Sequence, residues 1–418
     1  MQKVTIKNKP VIFKNEDFQS IQVKVIFPIV KDNDKLALFN LLPGMLHNVT
    51  SKYPTEKEFN NESQRLYILS TYCRCFTMSG ISYFVFNLNI PDKYALGKDY
   101  YEKQFKFFSE MIYNPKTDNS KFCSKEFERE VENLKVDIEK IKKDTTSYAF
   151  IKIKELLDDQ GIFSATIYNH IDQIDKINPK TLYDYYQEVI VNNQPLIYVM
   201  GNVNEKEIKD LCDKYLYKKK FNNKEVSVNI KNYLNVREKT QNIVEESTFN
   251  NSLIAYFYKV KDMDYEKEIY LSIVNELLNS LSSRLLNKKL RDENDLVYSS
   301  YSTTYNNFGL FGIVALINKK NEKIVREKIL EVVKDLRSVE LLEEYLPGIK
   351  ERHRIGLIRK LDDKVRIFGD NIVHDLGIDY TSEEFYEKLL KVSAEDIVSF
   401  VNDLTLDTVY YLKEGEND

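Results

Sequence analysis

The sequence predicts an α+β fold of two tandem homologous domains, each a mostly antiparallel sheet faced by helices. The chain has 418 residues, more than the roughly 250–300 at which a single core stops growing. Runs of predicted strands alternate with runs of predicted helices, which favours α+β layers. The same order of elements also occurs twice, with residues 21, 71 and 196 of the first half corresponding to 252, 297 and 408 of the second.

The first half begins with residues 21–27 (IQVKVIF), whose apolar side chains alternate as in a half-buried strand. Two helical segments follow, DKLALFNLLPGMLHNV and TEKEFNNESQRLYIL. The strands TYCRCFTM and ISYFVFNLNI flank Ser79-Gly80, a two-residue hairpin signal. Charged helical segments cover residues 123–192, and PLIYVMGNV has the apolar run of a closing buried strand.

The second half repeats this order from the strand at 252–260 (SLIAYFYKV) and the helix at 264–281. A short helix runs to Arg291, and VYSSYSTTY and FGLFGIVALI form a hairpin around Asn306-Asn307. Helices then lead to a final strand, DTVYYLKEG. Between the halves lies a charged segment of weak helical periodicity. We therefore expect domains at residues 1–220 and 246–418, joined by a linker at 221–245.

Composition narrows the classes of function. The chain has 61 basic and 65 acidic side chains, a net charge of −4, which argues against nucleic acid as a partner. No apolar run approaches the roughly 18 residues of a membrane span. The N-terminal MQKVTIKNKPVIFKNEDF lacks the apolar stretch of a secretion signal, so we expect a cytoplasmic protein. The four cysteines do not form a disulfide scaffold, and we interpret Cys73 and Cys75 as reduced, packed thiols.

The stretch SSRLLNKKLRDENDLVYSSYS resembles the second-half signature of the pitrilysin/insulinase-type zinc peptidases, which include the mitochondrial processing peptidase. That signature is a small residue followed by Arg-Leu, a short helix, and an arginine separated from a tyrosine by six residues. Ser283-Arg284-Leu285, Arg291 and Tyr298 match it here. The resemblance covers the whole chain in order and length, and it implies that the two domains form half of a clamshell-shaped chamber.

The resemblance also locates where a catalytic zinc site would lie. Members of this family bind zinc through His-x-x-Glu-His on the first long helix, and the glutamate activates water. The corresponding positions here are Asn40, Pro43 and Gly44, which offer neither the ligands nor the base. A downstream carboxylate ligand would fall near Asp137 or Glu139. The four histidines also lack the spacing of a zinc motif. We therefore expect no zinc and no hydrolysis by this chain alone.

Of the catalytic features of this family, the chain retains the arginine and the tyrosine of the second half, Arg291 and Tyr298. The resemblance implies that both donate hydrogen bonds to a peptide bound at the zinc of a partner subunit. This favours the non-catalytic subunit of a bacterial heterodimeric peptidase, with zinc only in a partner that carries His-x-x-Glu-His. We expect a peptide substrate and, for the chain alone, a possible homodimer.

Three alternatives stay open. Arg291 could pair with Asp292 or Glu293 while Tyr298 only packs. The protein could be a structural scaffold without a catalytic role. It could also be a peptidase whose metal ligands are not recognised in the sequence.

Overall fold

The computed structural model describes residues 2–158, 160–217, 225–228, 236–279, 284–376 and 380–415. The chain divides into two compact units. Unit one comprises Met1–Glu139, Ala165–Asn229 and Asp375–Gly377, and unit two comprises Lys140–Ser164, Ile230–His374 and Ile378–Asp418. Each unit is described by itself.

Unit one contains mixed strands and helices. Its strands are β1 (Gln2–Thr5), β2 (Val11–Lys14), β3 (Ser20–Val30), β4 (Ser70–Met78), β5 (Ile81–Pro91), β6 (Thr117–Asp118), β7 (Lys121–Phe122), β8 (Leu196–Gly201) and β9 (Glu225–Val228). Its helices are α1 (Leu36–Met45), α2 (Glu56–Arg65), α3 (Lys93–Leu96), α4 (Tyr101–Tyr113), α5 (Ser124–Lys143), α7 (Pro179–Tyr186) and α8 (Glu205–Tyr215). Helix α6 (Thr145–Leu157) belongs to unit two.

The main sheet of unit one has five strands in the order β2-β8-β3-β5-β4. Strands β2 and β8 are parallel, and the other neighbours are antiparallel. Ser79 and Gly80 close the β4–β5 hairpin with φ angles of 51° and 77°, the left-handed region that a two-residue hairpin turn requires. On β3, Ile21, Val23, Val25 and Phe27 share one face and are buried in the core of unit one, so this face of the sheet packs against the helices.

Unit two repeats this arrangement. Its strands are β10 (Gln241–Glu246), β11 (Ser252–Lys259), β12 (Val297–Tyr305), β13 (Leu310–Ile317) and β14 (Thr405–Lys413). Its other helices are α9 (Tyr265–Asn279), α10 (Leu285–Asn287), α11 (Glu322–Asp335), α12 (Val339–Asp362), α13 (Lys364–Asp375), α14 (Ser382–Leu389) and α15 (Ala394–Asp403). The five-stranded order β10-β14-β11-β13-β12 and the strand directions match those of unit one.

The central strand of unit two is buried on both faces. All eight residues of β11 are buried, and alternate residues enter two different cores. Ile254 and Tyr256 pack with helices such as α9, whereas Leu253 and Phe257 pack with α6 on the opposite face. Gly312 of β13 leaves room for the ring of Phe257, which lies 2.5 Å from where a Cβ would stand. Helix α6 therefore completes unit two.

A buried ion cluster joins the ends of these elements. The carboxylate of Asp407 on β14 is fully buried and lies 3.1 Å from the Lys259 ammonium and 2.7 Å from the Arg237 guanidinium. Arg237 also donates to the carbonyl oxygen of Leu156, the penultimate residue of α6. The cluster thus fixes α6 to the sheet that it covers.

The fold class predicted from the sequence is confirmed: two mixed five-stranded sheets with helices, in one repeated strand order. The predicted linker at 221–245 includes residues 221–224 and 229–235, which lie outside the described residues. Within the same segment, the structure places β9 and the start of β10. The domain boundaries at 220 and 246 stay a prediction. Of the helices that the structure describes, none has the length and apolar character needed to cross a membrane.

We predict that Asp407→Asn destabilises unit two strongly, because it removes the charge that compensates two cationic side chains in a buried site. Breaking such a pair costs roughly 3–5 kcal/mol. Glu246→Gln is the matched control, since Glu246 forms an exposed ion pair with Lys413 on the same sheet and should contribute little. Denaturant unfolding measures both variants, and equal small losses would contradict the role of the cluster.

Candidate functional site

Helix α1 carries Asn40, Pro43 and Gly44, the positions predicted to correspond to the zinc motif. The Asn40 side-chain amide donates to the carbonyl oxygen of Leu36 at 2.8 Å, so its own helix engages it. Pro43 lies inside the helix. On the opposite side, Leu41, Leu42 and Met45 are buried in the core of unit one. Helix α1 therefore keeps its packing face although its motif positions carry no ligand side chain.

The space beside Gly44 is filled by a carboxylate from α5. A Cβ at position 44 would stand 2.5 Å from Oε2 of Glu130 and 2.9 Å from its Cδ. Oε1 of Glu130 accepts a hydrogen bond from Arg129 at 3.2 Å, and Arg129 also pairs with Glu56 at 3.0 Å. A side chain at position 44 would therefore require Glu130 to move.

His47 follows Gly44 by one turn, and the charge of Glu130 acts on its ring. Its Nε2 lies 3.4 Å from the carbonyl oxygen of Thr71. Burial lowers the pKa of His47, and the Thr71 carbonyl and the charges of Glu130 and Glu56 partly oppose that shift. In the part of the chain that the structure describes, no three His, Cys, Asp or Glu side chains are grouped to hold a metal ion.

Two other predicted features lie near this helix. Asp137 is exposed on α5, seven residues after Glu130, and its charge contributes to a raised pKa of Tyr168 after the larger effect of burial. Sequence reasoning placed the downstream carboxylate near Asp137 or Glu139 and did not select Glu130. Glu130 and Asp137 are seven residues apart, about two helical turns, so both lie on one face of α5, and this spacing could have pointed to Glu130.

Cys73 and Cys75 are free thiols, and burial raises the pKa of Cys75 to about 12.

In unit two, Arg291 lies on a tight turn whose backbone is fixed. The turn is one π-helical turn, Lys288–Asp292, and Leu290 within it is fully buried. The amide of Asp295 donates to the carbonyl oxygen of Arg291 at 2.8 Å, and the amide of Leu296 donates to that of Leu290 at 2.9 Å. The Arg291 side chain is exposed.

The local ion pairs do not involve Arg291. Asp292, one candidate partner, lies 3.8 Å from Arg284 instead. Across the described ranges, the Arg291 guanidinium has neither an ion pair nor a hydrogen bond with another side chain. Ser283, the first residue of the predicted signature, lies outside those ranges.

Tyr298 is an extra residue in the edge strand β12. Val297 pairs with Ile317 and Ser299 with Leu316, so Tyr298 has no partner on β13 and forms a bulge. A bulge redirects the side chain and is common near functional sites. The Tyr298 side chain is 53% exposed, so it is not a core residue. Both Arg291 and Tyr298 are thus exposed to solvent, Arg291 on a hydrogen-bonded turn and Tyr298 on a bulge.

Comparisons with known proteins bear on the family and the fold of this chain. A family model described as "Peptidase M16 inactive domain" matches residues 176–352. "Probable inactive metalloprotease YmfF" of Bacillus subtilis is 22% identical over 416 residues, covering 97% of this chain and 95% of the relative.

Solved structures share the fold along the full length. A conserved protein from Enterococcus faecalis is 19% identical with a TM-score of 0.83, and each chain is covered completely. A protease from Helicobacter pylori is 16% identical with a TM-score of 0.75 over 99% of both chains.

The contact between Gly44 and Glu130 predicts a measurable coupling. In a Glu130→Ala background, Gly44→Ala should raise the free energy of unfolding by about 1 kcal/mol, because alanine is the better helix former. In the wild type the gain should be smaller, since the new Cβ must displace the Glu130 carboxylate. Denaturant unfolding of the four proteins gives the coupling free energy.

Gly348→Ala on α12 is the control, because a Cβ there meets no atom within 4 Å. Its effect should not depend on Glu130. Equal gains from Gly44→Ala in both backgrounds would contradict the contact.

Proposed function

We propose that this chain, a catalytically inactive member of the pitrilysin-type peptidase family, acts as the non-catalytic subunit of a heterodimeric zinc peptidase. Its partner would be a chain of similar length that carries His-x-x-Glu-His and the zinc. This chain would complete the chamber, bind the peptide substrate and contribute Arg291 and Tyr298 to the partner's zinc site.

The observation that carries the proposal is the presentation of these two side chains. Arg291 is exposed on a turn anchored by buried Leu290, and Tyr298 is exposed on a bulge in an edge strand. Arg291 also lacks an ion-pair partner within the described ranges. An arginine and a tyrosine held in this way are available to a substrate.

The chemistry of the two groups suits peptide hydrolysis. A guanidinium and a phenolic hydroxyl both donate hydrogen bonds, and a peptide carbonyl gains negative charge on its oxygen when water attacks. Both groups can reach a substrate carbonyl from exposed positions, and hydrogen bonds to the oxygen that gains charge lower the barrier to attack. The zinc of the partner would supply the activated water.

The state of helix α1 supports assigning the zinc to a partner. Asn40 is engaged by its own helix, and Glu130 occupies the space beside Gly44. We further propose that the heterodimer works in the cytoplasm and acts on peptides, and that it binds neither nucleic acid nor membrane. In the absence of its partner, this chain can form a homodimer.

The first test measures metal content and activity of the purified chain. We expect no stoichiometric zinc, because Asn40, Pro43 and Gly44 replace the ligands and the base, and no peptide cleavage. Elemental analysis and a peptidase assay check this. One tightly bound zinc per chain, or activity that persists after removal of every partner, would refute the assignment.

The second test measures assembly. Coexpression with a relative of similar length that carries His-x-x-Glu-His, followed by size-exclusion chromatography with light scattering, should give a one-to-one complex. A chain that stays monomeric alone and ignores such relatives would contradict the proposal.

The third test concerns catalysis by the reconstituted heterodimer. Tyr298→Phe removes one hydroxyl and keeps the ring, so kcat should fall about 10²–10³-fold, the usual effect of losing one oxyanion donor. Arg291→Lys should not restore activity, because an ammonium cannot replace the planar guanidinium. Steady-state kcat and KM are measured beside the melting curve of each variant.

Matched controls separate catalysis from folding. Tyr94→Phe removes a hydroxyl from another exposed tyrosine, 67% exposed in unit one, and should leave turnover unchanged. Arg284→Ala removes the neighbouring arginine that faces Asp292 and should change the melting temperature more than kcat. Wild-type turnover with both Tyr298→Phe and Arg291→Ala would favour a scaffold instead.

A further inference from the structure

Unit two contains a cavity that has no part in the proposed zinc chemistry. It lies among helices α9, α12, α13 and α14 and has a volume of about 590 Å³. Sites for small molecules typically measure roughly 300–1,000 Å³. Neither Arg291 nor Tyr298 lines it.

The cavity has an aromatic wall, and the absence of a side chain at Gly356 keeps part of its space free. The Phe385 ring stands 5.4 Å from the His353 ring and 5.9 Å from the Tyr380 ring. Leu357 and Ile367 add apolar surface. At Gly356 on α12, an added Cβ would meet no atom within 4 Å, so the absence of a side chain there keeps the space free.

The ion cluster around Lys360 has one more carboxylate than ammonium groups. Lys360 is only 5% exposed, and its ammonium lies 3.0 Å from Asp370 and 3.3 Å from Glu383. Two carboxylates therefore share one ammonium. The Asp370 and Glu383 side chains are 40% and 54% exposed, so an additional cation can reach both carboxylates from solution.

A cation without a partner also lines the cavity. The guanidinium of Arg366 on α13 forms no ion pair with any described side chain and is exposed to solvent. Of the other titratable side chains in the lining, Glu276 pairs with Arg352 at 3.1 Å and with His353 at 2.9 Å. The cavity thus combines an excess negative charge, an unpaired positive charge and an aromatic wall.

We propose that this cavity binds a small zwitterion with an apolar side chain, that is, a free amino acid or a short peptide. The ligand ammonium would contact Asp370 and Glu383, its carboxylate would contact Arg366, and its side chain would pack on Phe385. The proposal is independent of a zinc-bearing partner.

Binding can be followed with a single fluorophore, because the sequence contains no tryptophan. Tyr386→Trp places one in the cavity lining. L-phenylalanine, the dipeptide L-Phe-L-Ala and phenethylamine, which lacks the carboxylate, are titrated against this variant. The shift in melting temperature of the wild-type protein provides a second readout.

We expect a saturable response to L-phenylalanine or to L-Phe-L-Ala, and the stronger of the two identifies the source of the ligand. Phenethylamine should bind about tenfold more weakly, because one charged contact is missing. Arg366→Gln should weaken the two zwitterions but not phenethylamine, whereas Asp370→Asn should weaken all three.

Gly356→Leu should abolish binding by filling the cavity without a backbone clash, and Gly348→Leu on the same helix is the matched control. A Cβ at Gly348 also meets no atom within 4 Å, and this residue does not line the cavity. The proposal would be overturned if neither L-phenylalanine nor L-Phe-L-Ala gave a saturable response up to about 10 mM, because any binding would then be weaker than that of weak ligands. Binding unchanged in Gly356→Leu or in Asp370→Asn would overturn it as well.

Discussion

Burial of strand β11 on both faces is the constraint on which unit two depends. Side chains alternate across a strand, so its residues enter two separate cores. Helices that pack on one side of the sheet can contribute side chains to only one of these two cores. Helix α6 supplies the second layer, and the Asp407 cluster holds its C-terminal end to the sheet. The hydrophobic requirement of one strand thus determines why residues 140–164 belong to this unit.

The same sheet determines how the candidate substrate-binding side chains are presented. Strand β13 pairs with β11 along its full length, and β12 lies on the outer edge of β13. Only an edge strand can hold an unpaired bulge residue without interrupting a second neighbour, and Tyr298 occupies that position. The turn before it is held by buried Leu290, so Arg291 can remain exposed while its backbone stays fixed.

Helix α1 shows that packing and catalysis place separate demands on one element. Its residues Leu41, Leu42 and Met45 are buried in the core of unit one and hold the helix there by burying apolar surface. The positions that would bind zinc face another direction and contribute little to that core. A change of side chain at these positions therefore costs the fold little, and the Glu130 carboxylate lies in the space beside Gly44.

The sequence by itself determined the fold class, the two hairpins and the position of Arg291 and Tyr298 beside a helix-to-strand junction, whereas the loss of zinc ligands at Asn40, Pro43 and Gly44 stays a prediction. These follow from periodicity and residue type, which are local. Only the tertiary structure decided that Glu130 rather than Asp137 lies against Gly44, that Tyr298 forms a bulge, and that α6 covers β11. Each of these depends on register or on contacts between segments far apart in the chain, and the alternation of apolar residues does not encode such pairings.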